Sequence, residues 1–204
     1  MNRVKLSNSV RKLGQGIVTL NFPAGITCRE NAPCASGCYA KHGNFLFDAV
    51  KARHMENYMA YLDDKEMFWD DIAAQLYLVP YRFFRYFSSG DIPDAEFVYG
   101  MVELAKKFPE VNFLCFTKQY EFVNEYIDYN GDLPDNLVIV MSAWGDWIPE
   151  NPHDLPMSFV KFKNADYYIP ADAHKCPKFC GDCVMTGCSC WHMKKGESTY
   201  FDKH

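Results

Sequence analysis

The sequence lacks the patterns that mark several large classes of proteins. No apolar run approaches the ~20 residues that a helix needs to cross a bilayer, so we expect no membrane association. The N-terminal stretch MNRVKLSNSVRKLGQG is basic but has no hydrophobic segment behind it, which predicts a cytoplasmic protein without a secretory signal. The motifs G-x-x-x-x-G-K, G-x-G-x-x-G, H-E-x-x-H and G-x-S-x-G are all absent, so nucleotide-binding folds of those types, zincins and serine hydrolases have no support.

Positive charge is also scarce over most of the chain. The net charge is −5; residues 1–21 contribute +4 and residues 174–204 contribute +2, which leaves −11 on the residues between them. A broad nucleic-acid surface needs clustered Lys and Arg to displace counterions. Nucleic acid is therefore not the expected partner, although the basic N-terminal arm could touch phosphate.

Cysteine, by contrast, is abundant. The chain has nine cysteines, and eight of them fall into two groups, with Cys115 standing apart. The first group is Cys28, Cys34 and Cys38, and the second is Cys176, Cys180, Cys183, Cys188 and Cys190. In an intracellular protein, clustered thiols indicate metal binding or redox chemistry rather than a disulfide framework.

Short apolar runs alternate with helix-like segments along the chain. Strands are predicted at 16–22, 81–88, 111–117 and 137–143, with one or two more in FVKF and DYYIPA. Helices are predicted for the segments FDAVKARHMENYMAYL, KEMFWDDIAAQLYLV, AEFVYGMVELAKKF and KQYEFVNEYIDY. Asp63 with Glu66 resembles a capping box before the second helix, and Asn130-Gly131 predicts the end of the last one.

This alternation predicts an α/β fold, built as a partial (βα) barrel or an open, mostly parallel sheet. The 204 residues, 49% of them hydrophobic, are expected to form one domain over 1–204. Residues 1–173 would form the α/β core, and residues 174–204 a cysteine-rich, metal-binding segment packed on it.

Four polar loops follow predicted strands: the first cysteine loop, SSGD (88–91), TK (117–118) and SAWGDW (142–147). The carboxyl ends of parallel strands meet at one edge of a sheet, and ligands bind there. We therefore expect these loops to converge on one working face that includes the first cysteine group.

The first cysteine loop, CRENAPCASGCYAKH, allows two metal centres. A [4Fe–4S] cluster bound by Cys28, Cys34 and Cys38 would leave one iron open for a small molecule or a fourth residue. Alternatively, zinc would take the three cysteines and His42 in a closed tetrahedral site, similar to a CCCH zinc finger.

The order of motifs resembles the gene product 88 family of bacteriophage proteins. The shared features are C-x5-C-x3-C-Y-A, a helix with Arg53 and Asn57, RYFSSGD, FLCFTK, and a C-terminal CP…CxxC…CW, covering about residues 23 to 191. The resemblance implies how the chain is organised, and would place it in the host cytoplasm, but it implies no activity. Members of the family need not have a histidine at position 42.

A more distant resemblance is to radical S-adenosylmethionine (SAM) enzymes. In that superfamily three cysteines hold a [4Fe–4S] cluster whose open iron binds SAM, and a glycine-rich turn after the second strand receives the methionine amino group. The resemblance implies cofactor contacts from Tyr39, Ser89, Gly90 and Asp91. The spacing differs, however: the superfamily uses Cx3Cx2C, and the aromatic residue precedes the third cysteine instead of following it.

The second cysteine group allows three interpretations: a second [4Fe–4S] cluster, a structural zinc site, or thiols that reach back to complete the first site. We expect a separate four-cysteine site. The resemblance to the gene product 88 family favours as its ligands Cys176, Cys180, Cys183 and Cys190, the last because it precedes Trp191. Cys188 is then left over.

Other polar residues have a functional and a structural interpretation. Arg85 could pair with an anionic substrate or form a buried salt bridge, and Asp91 could bind a ligand or cap the following helix. Lys118 and Asp146 lie in strand-following loops and are weaker candidates. Cys115 is expected in the core, and His54 is expected to have a structural role.

The leading hypothesis is an iron–sulfur protein, with one or two [4Fe–4S] clusters, that activates a small molecule, with SAM a candidate cofactor. No catalytic residue beyond the cluster is assigned. The alternatives are a zinc-stabilised module that binds nucleic acid or protein, and an electron-transfer or redox-sensing protein with a redox partner.

Overall fold

A computed structural model describes residues 4–8, 13–14, 16–186 and 190–203. Cys188, the cysteine left without a role above, lies outside the described residues. None of the helices in these ranges is both long and apolar enough to cross a membrane.

The centre of the fold is an open sheet of seven strands, all parallel. The strands are β1 (Ile17–Leu20), β2 (Phe83–Tyr86), β3 (Asn112–Thr117), β4 (Leu137–Ser142), β5 (Met157–Lys161), β6 (His174–Lys175) and β7 (Ser198–Asp202). Their order across the sheet is β1-β2-β3-β4-β5-β7-β6, and every neighbouring pair is parallel. The α/β prediction is confirmed, and of its two forms the structure has the open sheet.

The helices are α1 (Asp48–Asp63), α2 (Lys65–Leu78), α3 (Ala95–Lys107), α4 (Tyr120–Asn130) and α5 (Cys180–Thr186). From β1 to β5 the strand order follows the chain order. Crossovers between parallel strands are right-handed. When the strand order follows the chain order, successive crossovers therefore place their helices on the same side of the sheet. Buried residues of α1 to α4 accordingly share one core with one face of the strands.

That main core is rich in aromatic rings. Phe22, which follows β1, contacts the rings of Phe68 on α2 and Phe97 on α3, with centroids 6.0 and 5.6 Å apart. The three side chains are 2% exposed or less. Burying such rings contributes ~1.5–3 kcal/mol each, so this cluster fixes the helices against the sheet.

The opposite face of the sheet carries a second core. Residues that alternate with the first set point to this side, and Trp191 covers them with only 2% of its surface exposed. Its ring lies 5.2 Å from that of Phe83, centroid to centroid. The C-terminal segment thus covers the face that α1 to α4 leave open.

Several predicted details of the elements need correction. DYYIPA is not a strand, whereas β6 and β7 were not predicted. The capping residue of α2 is Asp64, not Asp63: α1 continues through Asp63, and Asp64 is extended and accepts a hydrogen bond from the Met67 N–H at 2.9 Å. The predicted stop at Gly131 is confirmed, since its φ is +83° and its N–H donates to the Ile127 carbonyl at 2.9 Å.

Candidate functional site

A pocket of about 260 Å³ opens at the carboxyl ends of the parallel strands. Its wall includes residues from each of the four loops that were expected to converge there, and also from β7 and the C-terminal segment. The predicted site residues in this wall are Cys28, Cys34, Cys38, Tyr39, Ser89, Gly90, Asp91, Cys176 and Cys180, together with Arg85 and Lys118. The expected working face therefore exists.

The first cysteine loop is wound from short 3₁₀ turns. Cys34 and Cys38 directly precede the turns Ala35–Gly37 and Tyr39–Lys41. The Cys28 sulfur accepts a hydrogen bond from the Gly25 N–H at 3.3 Å. Burial raises the pKa of the Cys28 thiol, and the neighbouring thiols Cys38 and Cys34 raise it further. The three thiols thus lie close enough to influence one another electrostatically.

Tyr39 joins the cysteine loop to the turn after β2. Its hydroxyl donates a hydrogen bond to the Ser88 carbonyl at 2.8 Å. Because this bond spans 49 positions in sequence, it sets the distance between the two loops. In the structure, Tyr39 is therefore a structural link, and its ring also contacts Phe45.

The turn after β2 has an unusual backbone. Phe87 has a φ of +57° and Gly90 a φ of +83°. The Asn21 side-chain oxygen accepts hydrogen bonds from the N–H groups of Ser88 and Ser89 at 2.7 and 3.2 Å. A non-glycine residue at positive φ costs of order 1–3 kcal/mol and is concentrated at functional sites. The Asn21 bonds hold the turn in this shape.

Asp91 is buried at the base of the pocket and is bound by three donors. Its carboxylate accepts hydrogen bonds from the Thr117 hydroxyl at 2.6 Å, the Lys118 N–H at 2.9 Å and the Ile92 N–H at 2.9 Å. Burial nevertheless raises the pKa of Asp91. The carboxylate thereby ties the end of β2 to the end of β3.

The interpretation of Asp91 as a helix cap is wrong. The residue that caps α3 is Asp94, whose side chain accepts from the Phe97 N–H at 2.9 Å. Asp91 points to β3 instead, because Thr117 and Lys118 bind both of its oxygens.

Arg85 extends from β2 into the pocket. Its guanidinium donates to the Cys180 sulfur at 3.6 Å and lies over the Phe116 ring, 5.1 Å from the centroid. The predicted salt bridge of Arg85 is not found, since no carboxylate of the described residues lies within ion-pair distance of it. The guanidinium therefore has no acidic partner in those ranges.

The second cysteine group closes the pocket from the C-terminal side. Cys176 and Cys180 line the pocket, whereas Cys183 is buried. Burial, together with the neighbouring thiols of Cys176, Cys180 and Cys183 and against the opposing effect of Arg85, raises the pKa of the Cys190 thiol to about 12. The four cysteines expected to form a site are thus electrostatic neighbours.

No set of three or more His, Cys, Asp or Glu side chains in the described residues is close enough to hold a single metal ion. His42 is exposed and does not line the pocket. The zinc site of three cysteines and His42 is therefore not assembled in this structure. The C-terminal segment likewise shows no assembled single-ion site within the ranges described.

A protein-family model described as gene product 88 matches residues 2–175. The chain belongs to the gene product 88 family. No curated protein and no solved structure matches the chain. These comparisons give no support to the resemblance to radical SAM enzymes.

The match to the gene product 88 family covers only some of the residues that line the pocket. It includes the first cysteine loop, the turn after β2 and the end of β4, but it ends one residue before Cys176. The sequence resemblance was expected to continue to residue 191, and the match does not support it there. The family match therefore gives no information about the second cysteine group.

Some predicted residues lie elsewhere, and some pocket residues were not predicted. Cys115 is buried, as expected, His54 is also buried, and Asp146 is exposed and does not line the pocket. The pocket residues that sequence analysis missed include Ser158, Phe201 and Lys203. Ser158 lies on β5 and Phe201 on β7. Only the polar residues at the ends of these short strands could have indicated that the strands reach the pocket.

Proposed function

We propose that this gene product 88 protein binds a [4Fe–4S] cluster through Cys28, Cys34 and Cys38 and holds a small molecule beside it. The observation that carries the proposal is that all three thiols line the pocket at the carboxyl ends of the parallel strands, facing the turn after β2. Ligand sites of parallel α/β sheets lie at this edge.

The three thiols around one pocket suit the ligand set of an iron–sulfur cluster. They are near enough to raise the pKa of Cys28, yet no three of the described candidate ligands could share one ion. In a [4Fe–4S] cluster each thiolate binds a different iron, so its ligands lie farther apart than those of one ion. Cys28, Cys34 and Cys38 are each partly exposed and line the same pocket, where they could supply three such thiolates.

The residues around the loop would position the cluster and its ligand. Tyr39 fixes the cysteine loop against the Ser88 carbonyl, and Asp91 fixes the turn against β3. With three protein ligands, one iron remains for a small molecule, to which the cluster supplies electrons or a Lewis acid. SAM is one such molecule, and Ser89, Gly90 and Asp91 of the turn after β2 would be its contacts.

The second cysteine group supports a separate centre bound by Cys176, Cys180, Cys183 and Cys190. Its members couple electrostatically, and two of them share the pocket with the first group. A second cluster here would lie on the electron path to the first. If neither group contacts a substrate, the same arrangement describes an electron-transfer or redox-sensing protein.

The test is anaerobic purification of the full chain, followed by a visible spectrum and assays of iron, acid-labile sulfide and zinc. We expect brown protein with sulfide in a near-integral ratio to iron. Colourless protein with one or two zinc ions and no iron would contradict the proposal and support the zinc-stabilised module.

A second step separates activity from electron transfer. SAM is added to the reduced protein, and the electron paramagnetic resonance signal and the formation of 5′-deoxyadenosine are followed. A changed signal indicates an open iron that binds SAM. An unchanged signal without 5′-deoxyadenosine removes SAM and leaves electron transfer as the function of the cluster.

A further inference from the structure

Two buried polar atoms of the pocket wall have no hydrogen-bond partner among the described residues. They are Nε of Arg85 and Oγ of Ser88. Buried polar groups in native proteins are almost always bonded, so each exception points to a missing partner such as a ligand or water. The guanidinium N–H can only donate, and the serine hydroxyl can donate as well.

The charges of the pocket wall are also unbalanced. Among the described residues, four cationic side chains line it, Arg85, Lys118, Lys178 and Lys203, against two carboxylates, Asp91 and Asp202. This excess is local, because the protein as a whole carries a net charge of −5.

Both carboxylates are already engaged. Asp91 is bound by its three donors, and Asp202 pairs with Lys175 at 3.2 Å and with Lys178 at 3.9 Å. In the described ranges Lys118 and Lys203 have no carboxylate partner, as was found for Arg85. The pocket wall thus offers hydrogen-bond donors and positive charge to a ligand, and both of its carboxylates already have partners.

Aromatic rings hold three of these cations without neutralising them. The ammonium groups of Lys118 and Lys203 lie 6.0 and 5.8 Å from the centroid of the Trp144 ring, and Lys203 also lies 4.6 Å from that of Phe162. Cation–π contacts position a charge but leave it available to an anion. Arg85 is held in the same way over Phe116.

We propose that the pocket binds an anionic small molecule, whose carboxylate or phosphate oxygens accept hydrogen bonds from Arg85 and Ser88 and face Lys118 and Lys203. The planar fork of Arg85 suits both oxyanions. The volume of about 260 Å³ suits a small metabolite. This inference rests on the proposed function in that it concerns the ligand of the same pocket.

The test is isothermal titration calorimetry on the full-length, anaerobically purified protein. The probes are inorganic phosphate and pyrophosphate in one arm and acetate and succinate in the other, with ionic strength held constant by sodium chloride. We expect saturable binding in at least one arm, and the arm that binds more tightly identifies the oxyanion. If neither arm binds above the chloride background, the inference is wrong.

Variants then assign the binding to the pocket. Charge-assisted hydrogen bonds contribute enough that Arg85→Gln should weaken the affinity about 10- to 100-fold, and Arg85→Lys, which keeps the charge but not the fork, should weaken it less. Lys203→Gln should weaken it about two- to fivefold. Lys51→Gln is the matched control, since Lys51 is an exposed cation of α1 outside the pocket, and it should change nothing.

The remaining outcomes are also decisive. If Arg85→Gln binds the anion as the unaltered protein does but loses iron, the cation serves the cluster and the inference is overturned. If that variant does not fold, as judged by circular dichroism, Lys118→Gln and Lys203→Gln decide: unchanged affinity in both contradicts the inference. Anion binding by protein that contains no iron or sulfide would leave this inference standing while the proposed cluster fails.

Discussion

His54 is a buried ionisable residue that does not line the pocket. It lies on α1 with 6% of its surface exposed, and its ring faces that of Phe45. Burial, with a smaller contribution from the nearby Arg53, lowers the pKa of His54 to about 4. The folded protein therefore holds this imidazole neutral, whereas the unfolded chain protonates it near its ordinary pKa of ~6.5.

This burial predicts a specific loss of stability in acid. Because the folded pKa is depressed, the unfolded state binds the extra proton between pH 6.5 and 4, and stability falls as the pH falls through that range. Urea unfolding at pH 7 and 4.5 should show the unaltered protein losing about 2 to 3 kcal/mol more than His54→Gln. An equal loss in both proteins would show that His54 does not titrate in this way.

At the scale of elements, the turn after β2 determines the shape of the pocket. It brings the Ser88 carbonyl to Tyr39 and the Asp91 carboxylate to Thr117. Gly90 allows this close packing, because a Cβ there would lie 2.7 Å from Thr27 Oγ1 and 2.8 Å from the Phe22 carbonyl oxygen. The turn therefore depends both on a positive φ and on the missing side chain.

The prediction at this scale compares Gly90→Ala with Gly25→Ala. Gly25 has a similar φ, +85° against +83°, but a Cβ there would meet nothing within 4 Å. Both variants bear the strain of positive φ, and only Gly90→Ala adds a clash, which should cost about 1–3 kcal/mol more in the free energy of unfolding. Equal destabilisation of the two variants would show that the turn relaxes around the new methyl group.

The local sequence pattern predicted β1 to β4 because each strand is an apolar run bounded by turn residues. The predicted parallel arrangement of these strands then placed the polar loops that follow them at one edge of the sheet. The role of Asp91 could not be predicted in the same way. DIPD contains two aspartates, and what distinguishes them is the contact of Asp91 with Thr27 and Thr117, 64 and 26 positions away. The short strands β6 and β7 were missed because β7 pairs with both β5 and β6, and these pairings are also long-range.

At the scale of the whole molecule, the C-terminal segment closes the side of the sheet opposite α1 to α4. Strand β7 pairs with β5, and Trp191 covers the second core. The same segment brings Cys176 and Cys180 to the pocket. Its docking therefore determines whether the two cysteine groups face each other.

Removal of the Trp191 side chain tests this docking. Trp191→Ala should destabilise the protein by about 3–5 kcal/mol, because it leaves a cavity on the sheet, and Trp191→Phe should cost less. Urea unfolding measures the loss, and limited proteolysis should show faster cleavage within residues 174–203. A loss below about 0.5 kcal/mol, typical of a surface substitution, would contradict the docking.

The most direct test of the account is the iron and sulfide content of three proteins purified anaerobically in parallel. These are the unaltered chain, the triple variant Cys28→Ser, Cys34→Ser and Cys38→Ser, and the control Cys115→Ser, which changes a buried core cysteine outside the pocket. We predict that the triple variant loses about four irons and four sulfides per chain and that the control retains them. Equal iron and sulfide in the unaltered chain and the triple variant, or zinc without sulfide in the unaltered chain, would contradict the account.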